Sequence, residues 1–202
     1  MNITQKIIKR LFDFTFALLG IVFLWWILCS LVLIATIDTK KLGLFSQQRV
    51  GYLGNNFLIF KIRTMRENSI ITTHVTTSED PRITTFGRFL RKYKLDELLQ
   101  LINVLIGNMS FVGPRPDVVG FADKLTGNDR IILSVKPGIT GPASLYFRNE
   151  EDVLAQQTNP LEYNRKIIWP KKVDINKDYI INYSFRTDLS ILFKTLFNVK
   201  EQ

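Results

Sequence analysis

Residues Phe14–Ile37 read FTFALLGIVFLWWILCSLVLIATI, 24 positions without a charged side chain. About 20 apolar residues cross the hydrocarbon core of a bilayer, so this run is long enough to do so. Lys6, Lys9, Arg10 and Asp13 precede it, and Asp38, Lys40 and Lys41 follow. A cleaved signal peptide has a shorter apolar region and a small-residue cleavage site, and neither is evident here. Cys29 follows Ile27-Leu28, where lipoprotein processing would need a small residue. The segment is therefore expected to stay and to place the protein in a membrane. Positive flanks mark the cytoplasmic side, and here both flanks are basic. A re-entrant helix, entering and leaving on one face, satisfies that rule where a single crossing does not. Re-entrance needs a break at membrane depth, with the freed backbone groups paired inside the protein. No proline supplies it. Trp25-Trp26 lie near the middle and Ser30 follows, and a serine hydroxyl bonding back to the preceding turn bends a helix. A straight anchor, with the rest of the chain inside, is the alternative.

Past this anchor (1–41), residues 42–202 form one further unit with no linker to divide it. Apolar residues make up 46% of the chain and charged residues 22%, the composition of an ordered protein. Lys and Arg outnumber Asp and Glu by 27 to 18, a net charge of +9, which calls for an anionic partner. No helix-turn-helix, zinc finger or aromatic RNA-binding platform is visible, so nucleic acid is not that partner. A single cysteine excludes a disulfide framework and any multi-cysteine metal site. The one histidine, His74, sits in a Thr-rich stretch read as a loop, which argues against histidine-based zinc chemistry.

Phe45–Met65, FSQQRVGYLGNNFLIFKIRTM, has two β-prone runs around Gly51–Asn56 and is expected to form a hairpin with a longer loop. Residues 68–85 are polar and read as a loop leading into a short capped turn. From Phe86 to Ile106 the apolar positions recur at helical steps, and one amphipathic helix is expected, ended by Gly107. Arg88, Arg91, Lys92 and Lys94 crowd its first half, which suits a helix lying in a membrane interface and equally an ordinary helix packed on a small core. Gly113-Pro114-Arg115-Pro116 and Lys136–Pro142 read as two rigid loops, and Leu189–Val199 as another amphipathic helix. The fold class expected is α+β and mainly helical: a re-entrant membrane helix, interfacial amphipathic helices and a small β-hairpin.

Asp96 and Glu97 are adjacent within the basic stretch. Helical neighbours point about 100° apart, so they do not face each other, but they can converge on one ion or one phosphorus. Arg115 and Lys136 are offered by the rigid loops, and arginine forks and ammonium groups of this density hold phosphate oxygens. Carboxylates beside bound phosphate commonly hold Mg²⁺. On the residues alone, such a helix is ordinarily a solvated face.

Several motifs occur in order. They are Lys9-Arg10-Leu11-Phe12-Asp13 entering an apolar helix, Phe60-Lys61-Ile62-Arg63-Thr64-Met65, and Asp80–Arg91 running into Leu95-Asp96-Glu97-Leu98. Gly107-Asn108-Met109-Ser110-Phe111-Val112-Gly113-Pro114-Arg115-Pro116 and Lys136-Pro137-Gly138-Ile139-Thr140-Gly141 complete the series. Over nearly its whole length the chain resembles the monotopic phosphoglycosyl transferases, the bacterial sugar transferase family. That resemblance implies transfer of a sugar-1-phosphate from a UDP-sugar to undecaprenyl (polyprenyl) phosphate, with UMP released. Asp96 would be a covalent nucleophile, and Glu97, with Asp96, would be associated with Mg²⁺. Arg91 and Arg115 match arginines near the phosphates, with Arg88, Lys61, Arg63 and Lys136 as further phosphate-binding candidates. Arg10, Asp13, Trp25, Trp26 and Ser30 would seat the membrane helix. The location implied is the cytoplasmic face of the bacterial inner membrane, among its lipids, with room for a homodimer through membrane-proximal helices.

The chain departs from the family pattern in four places. Trp25-Trp26 stand at the usual Ser-Pro break, Leu99 replaces the proline of Asp-Glu-Leu-Pro, Asn108 replaces an aspartate, and Pro142 follows Gly141. Losing the proline at 99 is expected to make the helix around Asp96 more continuous. A catalytically dead scaffold is the competing reading; the intact Asp96-Glu97 pair opposes it and Asn108 mildly favours it.

Overall fold

A computed structural model of the chain describes residues 1–66 and 80–197. His74 and most of the polar stretch around it lie outside the described residues. Asn2 opens the first helix, α1 (Ile3–Thr39): its side chain accepts from the Gln5 amide and the Gln5 side chain accepts in return. At about 1.5 Å per residue, α1 is about 55 Å long. It is continuous through Trp25, Trp26 and Ser30. The Ser30 hydroxyl does bond back to the Trp26 carbonyl, at 2.8 Å, but this leaves the helix unbroken, because without a proline no ladder donor is lost. Among the described residues, α1 is the one helix long and apolar enough to cross a membrane.

One stripe of α1 faces the rest of the protein along its full length: Lys9, Asp13, Ala17, Leu28, Ala35 and Thr39 are buried, with Leu24, Leu31 and Val32 packed beside them. These three- and four-residue steps form a single helical face. On the other side Val22, Phe23, Trp25, Trp26, Leu33 and Ile34 are exposed, an apolar surface of the kind that associates with a membrane. Both ends of α1 are tied to the same body. Near the start, Lys9 pairs with Asp188, Arg10 donates to the carbonyls of Val104 and Leu105, and Asp13 accepts from the Phe111 amide. Near the end, Gly43 N–H donates to the Thr36 hydroxyl and Arg66 donates to the Asp38 carbonyl.

The hairpin forms as expected, with β1 (Leu44–Val50) antiparallel to β2 (Asn56–Ile62), and Leu44 opposite Ile62 at one end and Val50 opposite Asn56 at the other. The expected single helix over Phe86–Ile106 does not form. It is divided into α2 (Thr85–Lys92), capped by the Thr84 hydroxyl, a 3₁₀ turn (Leu95–Glu97) and α3 (Gln100–Ile106). Lys94 adopts φ +56°, the left-handed region that resets the phase of a helix. The five-residue step from Tyr93 to Leu98 was the sequence signal of this reset. Losing the family's proline at 99 therefore did not make the helix continuous. Leu90 of α2 and Leu99, just ahead of α3, both pack beneath α1 with Leu28, Ala35 and Ile62, which the turn makes possible.

The expected loop Lys136–Pro142 is in part a strand, because β3 (Ser110–Val112), which leads into Gly113–Pro116, pairs in parallel with β4 (Gly138–Thr140). Three-residue strands are too short to show an alternating pattern. At Gly141 a Cβ would lie 2.1 Å from the Gly113 carbonyl oxygen, so close approach of the two segments requires glycine there. Four short helices and turns follow: α4 (Pro142–Tyr146), α5 (Glu150–Ala155), α6 (Pro160–Tyr163) and a π turn at Asn164–Ile168 that enters α7 (Trp169–Ile181). The last helix, α8 (Phe185–Leu196), starts before the expected Leu189 because Ser184 caps it through the Thr187 amide. A second core, including Val112, Leu145, Val173, Tyr179 and Ile191, joins α4, α7 and α8 to β3.

Candidate active site

The turn after Lys94 sets Asp96 and Glu97 at the junction of α2, β2 and the Gly113–Pro116 loop. Glu97 is 7% exposed. It accepts from Lys61 of β2 at 3.1 Å and from both terminal nitrogens of Arg115, one of them at 3.1 Å. This is a two-pronged guanidinium–carboxylate pair, the strongest geometry open to the two groups. Burial pushes the Glu97 carboxyl up, but Arg115 and Lys61 outweigh it and hold the group well below the usual carboxylate range. Glu97 raises Arg115 in return, whereas burial weakens the Lys61 ammonium's hold on its proton.

Asp96 has the opposite environment. Burial first, and the Glu97 charge second, raise its carboxyl, with Lys61, Arg91 and Arg115 pulling the other way. Its Oδ1 is buried and has no hydrogen-bond partner among the described residues. An unpaired buried oxygen is unfavourable in the empty protein and suits an incoming electrophile or cation. The described residues contain no group of three or more His, Cys, Asp or Glu able to hold a metal. Mg²⁺ fits the donor set nonetheless, since it takes one or two carboxylates and completes its shell with phosphate oxygens and water.

The structure brings Lys61, Arg91 and Arg115 to the Asp96-Glu97 pair and leaves the other cationic candidates elsewhere. Arg91 also pairs with Glu151 of α5, sixty positions away. Arg88 is exposed on α2. Arg63 donates to the Leu42 carbonyl and lies over the Phe45 ring. Lys136 stands beside Arg10 next to Gly107, on the flank where α1 meets α3. Arg10 and Asp13 lock α1 to α3 and β3, as given above, while Trp25, Trp26 and Ser30 are exposed on its outer side.

Sequence reasoning missed four residues around the site. Arg49 of β1 donates to the carbonyl of Pro116, the residue after Arg115, at 3.2 Å. Asp117, the residue after Pro116, has its carboxyl pushed up to about 7, by burial against the pull of Lys172 and Arg49. Lys172 of α7 pairs with Glu150 of α5 at 2.6 Å. The hairpin's inward register was the available signal for Arg49: residues two apart on a strand share a face, and Arg49 shares it with Gln47 and Phe45, opposite Lys61. Nothing local marked Glu150 or Lys172, which meet the site only through tertiary packing.

The model of the bacterial sugar transferase family matches residues 4–202. The chain is 35% identical over 199 residues to the UDP-glucose:undecaprenyl-phosphate glucose-1-phosphate transferase of Escherichia coli (strain K12), covering 96% of this chain and 40% of that protein. It is 36% identical over 197 residues to the uncharacterized sugar transferase EpsL of Bacillus subtilis (strain 168), covering 94% of this chain and 86% of that one. A third relative, the galactosyl transferase CpsE of Streptococcus agalactiae serotype III (strain NEM316), is 34% identical over 209 residues, 96% of this chain and 42% of its own length. The chain thus spans about two-fifths of the first and third relatives and most of the second. With the family match running almost end to end and the acidic pair set among cations in a membrane-associated domain, this chain belongs to the bacterial sugar transferase family.

Proposed function

We propose that this chain transfers a sugar-1-phosphate from a UDP-sugar to undecaprenyl phosphate and releases UMP, the opening step of membrane-bound glycan assembly. One observation carries the reading: the buried, unpartnered Asp96 oxygen, set beside an ionised Glu97 and within the field of Lys61, Arg91 and Arg115. In the first displacement an Asp96 oxygen forms a bond to the phosphorus that bears the sugar. The bond from that phosphorus to the bridging oxygen breaks, and UMP leaves with the electron pair. In the second, an oxygen of undecaprenyl phosphate attacks the same phosphorus, and the Asp96 carboxylate is the leaving group. Dividing the transfer in this way lets a water-soluble donor and a lipid acceptor use one site in turn. Removing water from the Asp96 carboxylate leaves it more reactive, and the surrounding cations favour the anionic donor. Asp96 and Glu97 would hold Mg²⁺, which when bound offsets negative charge on the transferring phosphoryl group.

The anchor suits this chemistry. Because both ends of α1 are tied to the domain, the protein can sit on one face of the bilayer, at the cytoplasmic side of the inner membrane, where donor and acceptor meet. The relatives named above carry glucose and galactose in their names, so a donor panel begins with UDP-glucose and UDP-galactose and extends to N-acetylated hexoses. The test is UMP release by detergent-solubilised protein with undecaprenyl phosphate. Release with one donor, dependent on Mg²⁺ and lost in Asp96→Asn, is the expected result. Turnover retained in Asp96→Asn would remove the covalent assignment, and no release from any donor by folded protein would remove the transfer reading.

A further inference from the structure

Arg49 is a cation of the site with no place in the reaction described above. It projects from the same face of the hairpin as Lys61, since the register sets Phe45 opposite Lys61 and Arg49 opposite Phe57. Its guanidinium is only partly used by the protein. Nη1 donates to the Pro116 carbonyl at 3.2 Å and Nη2 to Gln47 Oε1 at 2.7 Å. Nε is buried and has no partner among the described residues. Protein interiors rarely leave such a donor unpaired, because it has lost its water without gaining a bond.

The surroundings of Arg49 are unusual in charge as well. Arg115 stands close enough that, after burial, its positive charge is the largest influence weakening the Arg49 guanidinium's hold on its proton. Glu97 bonds to Lys61 and Arg115, and no bond joins it to Arg49. Asp117 acts on Arg49 through space, but no bond joins their side chains. Two neighbouring guanidiniums with an unused buried N–H form the arrangement that receives phosphate oxygens, each of which can accept several donors.

Position decides which phosphate. Lys61 and Arg115 bond to Glu97, the neighbour of Asp96, whereas Arg49 bonds to the Pro116 carbonyl, one residue past Arg115. Arg49 thus reaches the Arg115 loop from farther along the hairpin than the Phe45–Lys61 pair, beyond the residues that bond to Glu97. In an in-line displacement the leaving group departs on the side away from the nucleophile. We propose that Arg49, with Arg115, grips the nucleotide-side phosphate of the donor, the one that departs as UMP. This assignment rests on the transfer reading for the direction of attack. The contact to the Pro116 carbonyl gives Arg49 a second, structural role in holding the Arg115 loop, and the test must separate the two.

Arg49→Gln and Arg49→Lys are compared with the full-length wild type in detergent. UMP affinity is measured by calorimetry, donor and acceptor KM and kcat by UMP release, and unliganded Tm by fluorescence. Arg49→Gln is expected to weaken UMP binding and raise donor KM by about tenfold or more, the scale of losing a charged hydrogen-bond donor. Acceptor KM stays unchanged, and Arg49→Lys recovers part of the loss by restoring charge without the fork. UMP affinity and donor KM within twofold of wild type in a folded variant would overturn the proposal. A rise confined to acceptor KM would overturn it in favour of the lipid phosphate, and a fall in Tm or kcat with UMP affinity intact would reduce Arg49 to a structural residue. If Arg49→Gln does not fold, the Arg49→Lys affinities decide the matter by the same criteria. Wild type that binds UMP through Arg49 but turns over no donor would sustain the phosphate site while refuting transfer.

Discussion

Asn103 is the residue on which the geometry of the site most depends without touching its chemistry. It is fully buried in α3, where its side chain accepts from the Phe60 amide at 2.9 Å and donates to the Leu58 carbonyl at 2.7 Å. Both groups belong to the outer edge of β2, the strand that carries Lys61, so one amide does for that edge what a third strand would do. Replacing it by leucine of similar size removes two bonds and leaves the edge facing an apolar side chain. Leu58 is an exposed residue and Phe60 a half-buried one, so the Phe60 N–H is counted as the group left unsatisfied. Two lost bonds at about 1 kcal/mol each, with an unpaired donor at about 1–3 kcal/mol, give a loss of about 3–5 kcal/mol. In a domain of this size each kcal/mol lowers Tm by about 2–4 °C, so Asn103→Leu is expected to melt about 6–20 °C below wild type. Tryptophan fluorescence of the detergent-solubilised protein reads the transition. Because Lys61 follows Phe60 and Glu97 lies just ahead of α3, UMP release should fall as well, even at temperatures where the variant is folded. A Tm within about 2 °C of wild type would show that Asn103 does not bind the strand edge in this way.

Lys9→Met strands the buried Asp188 carboxylate with only the Tyr179 and Tyr183 hydroxyls. Breaking one side of such a pair costs about 3–5 kcal/mol, so α8 should become sensitive to limited proteolysis, and Asp188→Asn in the same chain should reverse part of the effect. Asp117 makes stability depend on pH. Its folded value of about 7 lies above the value of 3.8 expected for a free carboxyl, so the folded state binds the proton more tightly. The stability this contributes is fully present below about pH 4 and is lost as pH rises to about 7. Lys172, Arg49, Glu150 and Arg115 face the group. Wild-type Tm should fall relative to Asp117→Asn between pH 5 and 8, and parallel Tm curves would contradict the assignment. Gly141→Ala would set a methyl 2.1 Å from the Gly113 carbonyl oxygen. The parallel pair must then separate, at more than about 3 kcal/mol, the upper range for a point substitution; a Tm equal to wild type would refute this.

The parts of the protein legible in its sequence were those built from neighbours in the chain. The uncharged run Phe14–Ile37 and the turn residues between β1 and β2 act over a few residues, and pattern reading reaches that far. The failures have equally local causes. The apolar positions over Phe86–Ile106 recur at helical steps on either side of one five-residue gap, and a single left-handed residue, Lys94, makes that gap a break between two helices. Residues 110–112 and 138–140 are each too short to show a period, and they become strands only on meeting each other.

The site divides in the same way. The sequence by itself marked Asp96, Glu97, Lys61, Arg91 and Arg115, through ordered motifs and a family resemblance that the family match supports. It also pointed to a membrane, through 24 uncharged positions in a row, and the structure leaves most of that stretch unburied. Only the tertiary structure decided which cations reach the acidic pair: Lys61 and Arg115 bond to Glu97, and Lys136 stands beside Arg10. It alone brought Arg49, Asp117 and Glu151 to the site, and it alone aligned α1 along the domain. Motifs record which side chains a chain can offer. Distances of a few ångströms between residues sixty positions apart depend on how every intervening element packs, and no short stretch of sequence contains that.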